Sequence, residues 1–191
     1  MALVNVASRE IHCKIVYYGP GFGGKTTNVA AVHSLAPAEA RGELVSIATE
    51  TERTLFFDFL PLDLGSVEGF RVRLQIYTVP GQPMYERTRV AVLTGVDGLV
   101  FVADSGRARF RDNLTSMHEL TRVLEALGRP IPETPLVIQY NKRDLPDAVP
   151  IPVLEARLNP RGVAHVEAIA SQGDGVLATL REIGRLVVNR L

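Results

Sequence analysis

Short apolar segments alternate with stretches of helical spacing along most of the chain. Apolar or strictly alternating runs predict strands at residues 11–18, 55–60, 70–79, 97–104, 135–140 and 165–170. Apolar residues that recur every three or four positions predict helices at residues 25–35, 110–127 and 176–191. This alternation indicates an α/β fold, with a mostly parallel central sheet and helices on both of its faces. Such sheets bind ligands at the carboxyl ends of their strands, so the chemistry is expected in the loops that follow strands.

Composition narrows the class of protein. A chain of 191 residues is expected to form a single domain, residues 1–191. Its 21 basic residues balance its 21 acidic residues, which leaves no net field to attract nucleic acid, so no nucleic-acid partner is expected. Cys13 is the only cysteine and stands in an apolar strand. It cannot form an internal disulfide, and we expect a small buried hydrophobic side chain rather than a reactive thiol.

The cytoplasm is the expected compartment. The start of the chain lacks the basic and apolar regions of a signal peptide, and no apolar run approaches the ~20 residues of a membrane span. Residue 2 is not glycine, and the final residues carry no prenylation cysteine. We therefore expect no direct membrane anchor, and any polar or membrane position would depend on a partner protein.

A phosphate loop follows the first predicted strand. The pattern G-x-x-x-x-G-K-[ST] is matched by Gly19, Pro20, Gly21, Phe22, Gly23, Gly24, Lys25 and Thr26. The glycines let the backbone curl, so that its N–H groups point at phosphate oxygens. Lys25 can reach the β- and γ-phosphates, and the Thr26 hydroxyl is a hard ligand suited to Mg²⁺. ATPases, kinases and GTPases all use this loop, so it does not identify the base.

A second motif, N-K-x-D, follows the strand predicted at residues 135–140. It consists of Asn141, Lys142, Arg143 and Asp144. The two acceptor oxygens of the Asp144 carboxylate match the two adjacent donors on the guanine edge, and adenine has no such pair. Lys142 can lay its methylene stem along the base, and Asn141 is placed to tie this loop to the phosphate loop. The two motifs together predict a site for GTP or GDP with Mg²⁺.

These motifs resemble those of the Ras-like small GTPases, and more closely those of the bacterial MglA family of cell-polarity and gliding-motility GTPases. The resemblance covers nearly the whole chain. It is carried by residues 19–27, which end in Thr27, by residues 49–61, by residues 77–82 and by residues 141–144. It implies a P-loop NTPase fold of the Ras-like type and a GTPase that acts as a nucleotide-dependent switch.

The resemblance also implies roles for individual residues. Thr54 would close over Mg²⁺ and the γ-phosphate in switch I. Gly81 and Gln82 would belong to switch II, where Gln82 orients the attacking water, and Arg53 would be an arginine finger supplied by the chain itself. Ala170 aligns with the loop whose backbone N–H contacts the guanine carbonyl, although its flanking residues depart from the usual pattern.

The sequence departs from the Ras-like pattern at two positions, one that affects Mg²⁺ binding and one that affects the backbone of Gln82. Thr78 stands where Ras-like proteins carry an aspartate that holds Mg²⁺ through water, and a hydroxyl does so less strongly than a carboxylate. The MglA family shares this change, and Asp58 is a candidate substitute. Pro83 directly follows Gln82 and restricts its backbone to extended conformations.

Partners and competing functions follow from the same resemblance. A Roadblock-type GTPase-activating protein is implied, together with effector proteins that bind through switch I and switch II. One alternative is a pseudo-GTPase scaffold that binds guanine nucleotide without efficient turnover, favoured by Thr78 and Pro83. Another is a P-loop kinase or ATPase, which the motif at residues 141–144 disfavours because it serves no purpose in reading adenine.

Overall fold

The computed structural model describes residues 3–48, 54–81 and 85–191. Its strands are β1 (Leu3–Asn5), β2 (Glu10–Tyr18), β3 (Val45–Ala48), β4 (Thr54–Val67), β5 (Phe70–Thr78), β6 (Gly98–Asp104), β7 (Leu136–Asn141) and β8 (His165–Glu167). The α-helices described are α1 (Lys25–Leu35), α2 (Glu86–Leu93), α3 (Phe110–Ala126), α4 (Ile151–Leu158) and α5 (Val176–Val188). Short 3-10 helices occupy Arg107–Arg109 and Ile131–Glu133.

All eight strands join one sheet, in the order β3-β4-β5-β2-β6-β7-β8, with β1 paired to β2. Neighbouring strands from β5 to β8 run parallel. The pairs β1–β2, β3–β4 and β4–β5 are antiparallel. The predicted mostly parallel sheet is thus confirmed, with antiparallel strands at one edge.

Helices cover both faces of the sheet, as the alternation of elements predicts. Val29 and Val32 of α1 and Ile183 and Val187 of α5 pack on one face. The other face is covered by apolar side chains of α2, α3 and α4. Because β6 is covered on both sides, each of its residues is buried, which explains its nearly continuous apolar sequence before Asp104. This arrangement leaves the loops at the carboxyl ends of β2, β6 and β7 on one edge of the sheet.

Four of the observed elements are not predicted by the periodicity of the sequence, because each is too short. β1 and β3 are only 3 and 4 residues long. α2 and α4 each have 8 residues, too few for the apolar periodicity of a helix to stand out. The strand predicted at residues 55–60 is longer than expected, because β4 continues past Pro61 and a register shift between Asp63 and Ser66 to Val67.

Two predicted ends are too long. The strand predicted at residues 165–170 ends at Glu167, and the residues that follow it form a loop. The last helix ends at Val188 rather than at residue 191. By contrast, α3 ends at Ala126, within one residue of the predicted end, and Gly128 caps it. The Gly128 N–H bonds the Glu125 carbonyl and the Arg129 N–H bonds the Leu124 carbonyl, the hydrogen-bond pattern of a Schellman motif.

Candidate nucleotide-binding site

A cleft of about 610 Å³ opens at the carboxyl edge of the sheet. Its lining comes from four loops that are distant in sequence but meet here because their strands are parallel neighbours. The lining residues are Gly21, Phe22, Gly24, Lys25, Thr26, Thr27, Val79, Pro80, Gly81, Asn141, Lys142, Asp144, Leu145, Ala170 and Ser171. The cleft therefore unites the phosphate loop, the start of switch II, the N-K-x-D loop and the loop after β8.

The phosphate loop is wound tightly against the sheet. A methyl group on Gly19, where φ is 146°, would stand 2.3 Å from the carbonyl oxygen of Val102. The N–H of Gly23 bonds the carbonyl of Pro20 at 3.2 Å and closes a turn over residues 20–23. Gly19, Pro20 and Gly23 thus shape the loop without themselves lining the cleft.

Lys25 is buried and bound to its own loop. Its Nζ donates to the carbonyl oxygens of Gly19 and Pro20 at 2.9 and 2.7 Å. Burial, and after it the nearby Arg89 guanidinium, lower the pKa of Lys25 from 10.5 to about 7, while the Asp58 carboxylate acts in the opposite direction. An anion in the cleft would supply the counter-charge that this ammonium lacks.

Asn141 joins the N-K-x-D loop to the phosphate loop, which is the position that its sequence context predicts. Its Nδ2 donates to the Gly23 carbonyl at 2.9 Å, and its Oδ1 accepts from the Ala170 N–H at 2.9 Å. A methyl group on Gly24 would stand 2.3 Å from that Nδ2. One amide side chain, in contact with Gly23, Gly24 and Ala170, therefore sets the spacing of three backbone segments.

The remaining residues of the N-K-x-D loop face the cleft from its far end. Lys142, which has a left-handed φ of 64°, forms an ion pair of 2.7 Å with the buried Asp104 at the end of β6. Asp144 is exposed and lines the cleft, so its carboxylate is available to a ligand. Leu145 and Ser171 also line this end, and the sequence motifs give no role to either.

A buried carboxylate lies beneath the phosphate loop. Asp58 of β4 is 1% exposed and accepts hydrogen bonds from the hydroxyls of Thr26 and Ser46, each at 2.7 Å. The Thr78 hydroxyl donates to the same carboxylate at 2.8 Å and accepts from the Asp58 N–H at 2.8 Å. Thr78 thus orients Asp58, and Asp58 is the acidic group next to the predicted Mg²⁺ ligand Thr26.

The switch residues are only partly described. Gly81 packs on the phosphate loop, since a methyl group there would stand 2.3 Å from the N of Gly21. Thr54 is the first residue of β4, and its backbone pairs with Ala48. Arg53 and Gln82 lie outside the described residues.

Comparison with known proteins assigns the chain to a family. Mutual gliding-motility protein MglA of Myxococcus xanthus (strain DK1622) is 49% identical over 191 residues, which cover 100% of this chain and 98% of that protein. The chain belongs to the MglA family of small GTPases. ADP-ribosylation factor-like protein 4C of Homo sapiens is 26% identical over 191 residues, covering 96% of this chain and 90% of that protein. No family model matches the chain.

Membership of the MglA family makes the chain a small GTPase that binds guanine nucleotide and hydrolyses GTP. The scaffold alternative is not favoured, because the relatives are GTPases. Among the helices that the structure describes, none is both long enough and apolar enough to cross a membrane.

Proposed function

We propose that this MglA-family GTPase is a nucleotide-dependent switch, and that the cleft described above holds its GTP or GDP. The observation that carries the proposal is the link between the two motifs. Asn141 bonds the phosphate loop directly, so a base-reading loop and a phosphate-binding loop are held at one fixed spacing in one cleft. An α/β sheet of this kind binds its ligand at this edge.

The phosphates lie along the loop that begins at Gly19 and passes through Pro20, Gly21, Phe22, Gly23 and Gly24. Backbone N–H groups of this loop and the start of α1, where Thr27 lies, bind their oxygens. Lys25 leaves the carbonyls of its own loop for the β- and γ-phosphates, which restore its charge by supplying the counter-ion. The loop therefore binds a polyphosphate in preference to a single phosphate.

Asp144 selects guanine, and its exposed carboxylate at the end of the cleft supports this role. Lys142 is held by Asp104 in a position where its stem covers the base. The Ala170 N–H donates to the Asn141 side chain at 2.9 Å. Ala170 therefore contributes to base binding by fixing the position of its loop, which also carries Ser171.

Mg²⁺ would be held by the hydroxyls of Thr26 and Thr54 together with phosphate oxygens. Thr26 lines the cleft and already contacts a carboxylate. Ras-like proteins hold Mg²⁺ through water with an aspartate that corresponds to Thr78 of this chain. We assign that outer-sphere role to Asp58, because the Thr78 hydroxyl is hydrogen-bonded to Asp58 and orients it. A carboxylate near Thr26 supplies the negative charge that a hydroxyl at position 78 lacks.

Hydrolysis depends on Gln82, Arg53 and Lys25. Gln82 follows directly after Gly81, which packs on the phosphate loop, and Arg53 precedes the first residue of β4. Gln82 would position water and Arg53 would stabilise charge on the transferring phosphoryl group. We expect a partner protein to position both residues for hydrolysis.

The name of the Myxococcus relative places that protein in gliding motility, and we propose a related role in cell polarity or motility for this chain. Its partners would be a Roadblock-type GTPase-activating protein and effectors that bind through switch I (residues 42–54) and switch II (residues 80–94). We propose a cytoplasmic protein whose polar position, where it has one, comes from these partners.

Nucleotide selectivity tests the proposal. We expect GDP to bind at least ~10⁴-fold more tightly than ADP, because the wrong base leaves the acceptors of Asp144 unpaired. Asp144→Asn should exchange that preference for xanthosine diphosphate, because xanthine carries a carbonyl acceptor in place of the exocyclic amine donor and the Asn amide can donate to it. Fluorescent-nucleotide displacement measures all three. Asp147→Asn, an exposed residue of the same loop outside the cleft lining, is the matched control. Unchanged GDP preference in Asp144→Asn would reject the base assignment.

A further inference from the structure

The turn at the centre of the phosphate loop has an unusual residue in its third position. The Gly23 N–H bonds the Pro20 carbonyl, so Gly21 and Phe22 are the two central residues. Phe22 has φ 62°, whereas Gly21 is not among the residues with positive φ. This combination defines a type II turn, which normally requires glycine or asparagine where Phe22 stands. A phenylalanine held there is strained, and the surroundings must offset that strain.

A type II turn differs from a type I turn mainly by a flip of its central peptide. In a type I turn the third residue has negative φ, which phenylalanine prefers. The peptide between Gly21 and Phe22 would therefore rotate without an external restraint. Such a rotation would exchange the directions of the Gly21 carbonyl and the Phe22 N–H, because the two are antiparallel across a trans peptide.

Arg109 supplies the restraint. It lies in the 3-10 helix that precedes α3, and its guanidinium donates to the Gly21 carbonyl oxygen at 2.7 Å. A second nitrogen of the same group forms an ion pair of 2.6 Å with Asp112, which fixes the side chain's direction. A hydrogen bond from a charged donor to a carbonyl is among the stronger ones in proteins. It pulls the carbonyl outward and directs the Phe22 N–H the opposite way.

We propose that Arg109 is a positioning residue for nucleotide binding. It holds the 21–22 peptide in the type II orientation, so that the Phe22 N–H is presented to the phosphates although Phe22 itself disfavours that conformation. The proposal rests on the phosphate-binding role of the loop. Arg109 does not line the cleft, so it acts through the backbone of Gly21 rather than by contact with the nucleotide.

A double-mutant cycle with GDP tests this mechanism. Arg109→Ala should raise the dissociation constant for GDP about tenfold, the effect of losing one hydrogen bond to a charged group of about 1.4 kcal/mol. Phe22→Gly removes the preference against positive φ, since glycine adopts it readily. In the Phe22→Gly background, Arg109→Ala should therefore change the dissociation constant less than about twofold.

Arg111→Ala is the matched control for the loss of a positive charge. Arg111 is an exposed arginine two residues after Arg109, in the first turn of α3. The substitution should leave the GDP dissociation constant within about twofold of wild type, as surface substitutions usually do. Thermal unfolding of the nucleotide-free variants shows whether each one folds. Arg109→Gln, which keeps a donor without the charge, replaces Arg109→Ala if the alanine variant does not fold, and it should lie between alanine and wild type.

A direct readout comes from NMR with ¹⁵N-phenylalanine. The chain has 7 phenylalanines, and the signal missing in Phe22→Gly identifies Phe22. In wild type the Phe22 amide should shift strongly when GDP binds, and in Arg109→Ala that shift should be largely lost.

Two outcomes would overturn the proposal. An equal loss of affinity in both backgrounds would mean that Arg109 acts on the phosphates directly, and an unchanged affinity in Arg109→Ala would mean that the restraint is unnecessary. Failure of the wild-type protein to bind GDP would instead reject the nucleotide site itself, so the two failures are distinguishable.

Discussion

Glycine at position 24 is required by contact as well as by conformation. Its φ is 98°, and a methyl group would stand 2.3 Å from the Asn141 Nδ2. Gly24→Ala should therefore disturb the hydrogen bond between Asn141 and Gly23, lower the free energy of unfolding by at least about 2 kcal/mol and weaken GDP binding strongly. Thermal or urea unfolding and a GDP titration measure the two effects.

Gly128 provides the control for this substitution. Its φ of 67° is also left-handed, but a methyl group there would meet nothing within 4 Å. Gly128→Ala should cost only about 1 kcal/mol, the strain of an alanine in that conformation, and should leave GDP affinity unchanged. Equal losses of GDP affinity in the two variants would show that the contact between Gly24 and Asn141 is unimportant.

The burial of Cys13 predicts how the reactivity of its thiol depends on pH. Its side chain is fully buried, as its strand context predicts, and burial raises the pKa of its thiol from 9.0 to about 11. The reactive thiolate is therefore scarce at pH 8 in the folded protein. Ellman's reagent should react with native Cys13 far more slowly than with the urea-unfolded chain, and the native rate should rise as pH approaches 11. A native rate equal to the unfolded one would contradict this burial.

At the scale of elements, the proposed metal site joins α1, β3, β4 and β5 through one carboxylate. Asp58 accepts from Ser46 and Thr26 as well as from Thr78. Asp58→Asn removes the negative charge but keeps the side chain's size, and it should reduce the gain in GTP affinity that Mg²⁺ provides by about tenfold or more. Affinities measured with Mg²⁺ and with EDTA isolate that gain.

Substitutions at two threonines distinguish a direct effect on Mg²⁺ binding from an indirect one. Thr26 lines the cleft, whereas Thr78 is buried and holds Asp58 by two hydrogen bonds. Thr26→Ala should therefore reduce Mg²⁺-dependent GTP binding more than Thr78→Ala, because only Thr26 can touch the ion. A nucleotide-release assay with and without EDTA compares them, and the opposite order would reject this geometry.

Long, periodic elements are predictable from this sequence, and most short ones are not. α1 begins and ends at the predicted residues, because a glycine-rich loop precedes it and Pro37 follows it closely. β6 is almost entirely apolar up to Asp104, so it stands out even without alternation. α4 begins with Ile151-Pro152 and has only 8 residues, and its few apolar positions resemble those of a loop. Periodicity needs several turns of helix before it exceeds chance.

The candidate site was predictable where a motif specifies chemistry. The phosphate loop, Asn141, Lys142 and Asp144 each belong to a pattern whose spacing implies a ligand. The contact of Arg109 with Gly21 and the ion pair of Lys142 with Asp104 follow from how neighbouring strands bring distant loops together. No local pattern encodes those contacts, although an arginine close after β6 marks the edge of the sheet where ligands bind.

The proposed nucleotide site rests on a framework of hydrogen bonds between distant parts of the chain. The residues proposed to read the base and hold the phosphates lie on loops anchored at the ends of buried strands, as the Asn141 bonds show. The buried pair Asn28 and Gln139 exchanges two hydrogen bonds of 2.7 and 2.8 Å behind the phosphate loop, which ties α1 to β7. Of the residues proposed for hydrolysis, Arg53 and Gln82 are next to Thr54 and Gly81 in the sequence.

We predict that efficient hydrolysis depends on a partner protein that positions Arg53 and Gln82. Alone, the protein should turn over GTP slowly, and a Roadblock-type activator should accelerate it without supplying its own arginine. Since an arginine finger contributes ~10³–10⁵ in rate, Arg53→Ala should remove most of the acceleration, and so should Gln82→Leu through loss of the positioned water. Arg53→Lys should recover little, because an ammonium does not reproduce the planar fork of a guanidinium. GDP affinity should stay nearly constant in all three variants, because the proposal gives neither position a role at the base or at the α- and β-phosphates. Single-turnover assays with and without the activator measure the rates. Full activation of Arg53→Ala would show that the finger comes from the partner, and the chain's own contribution would then reduce to Gln82 and Lys25.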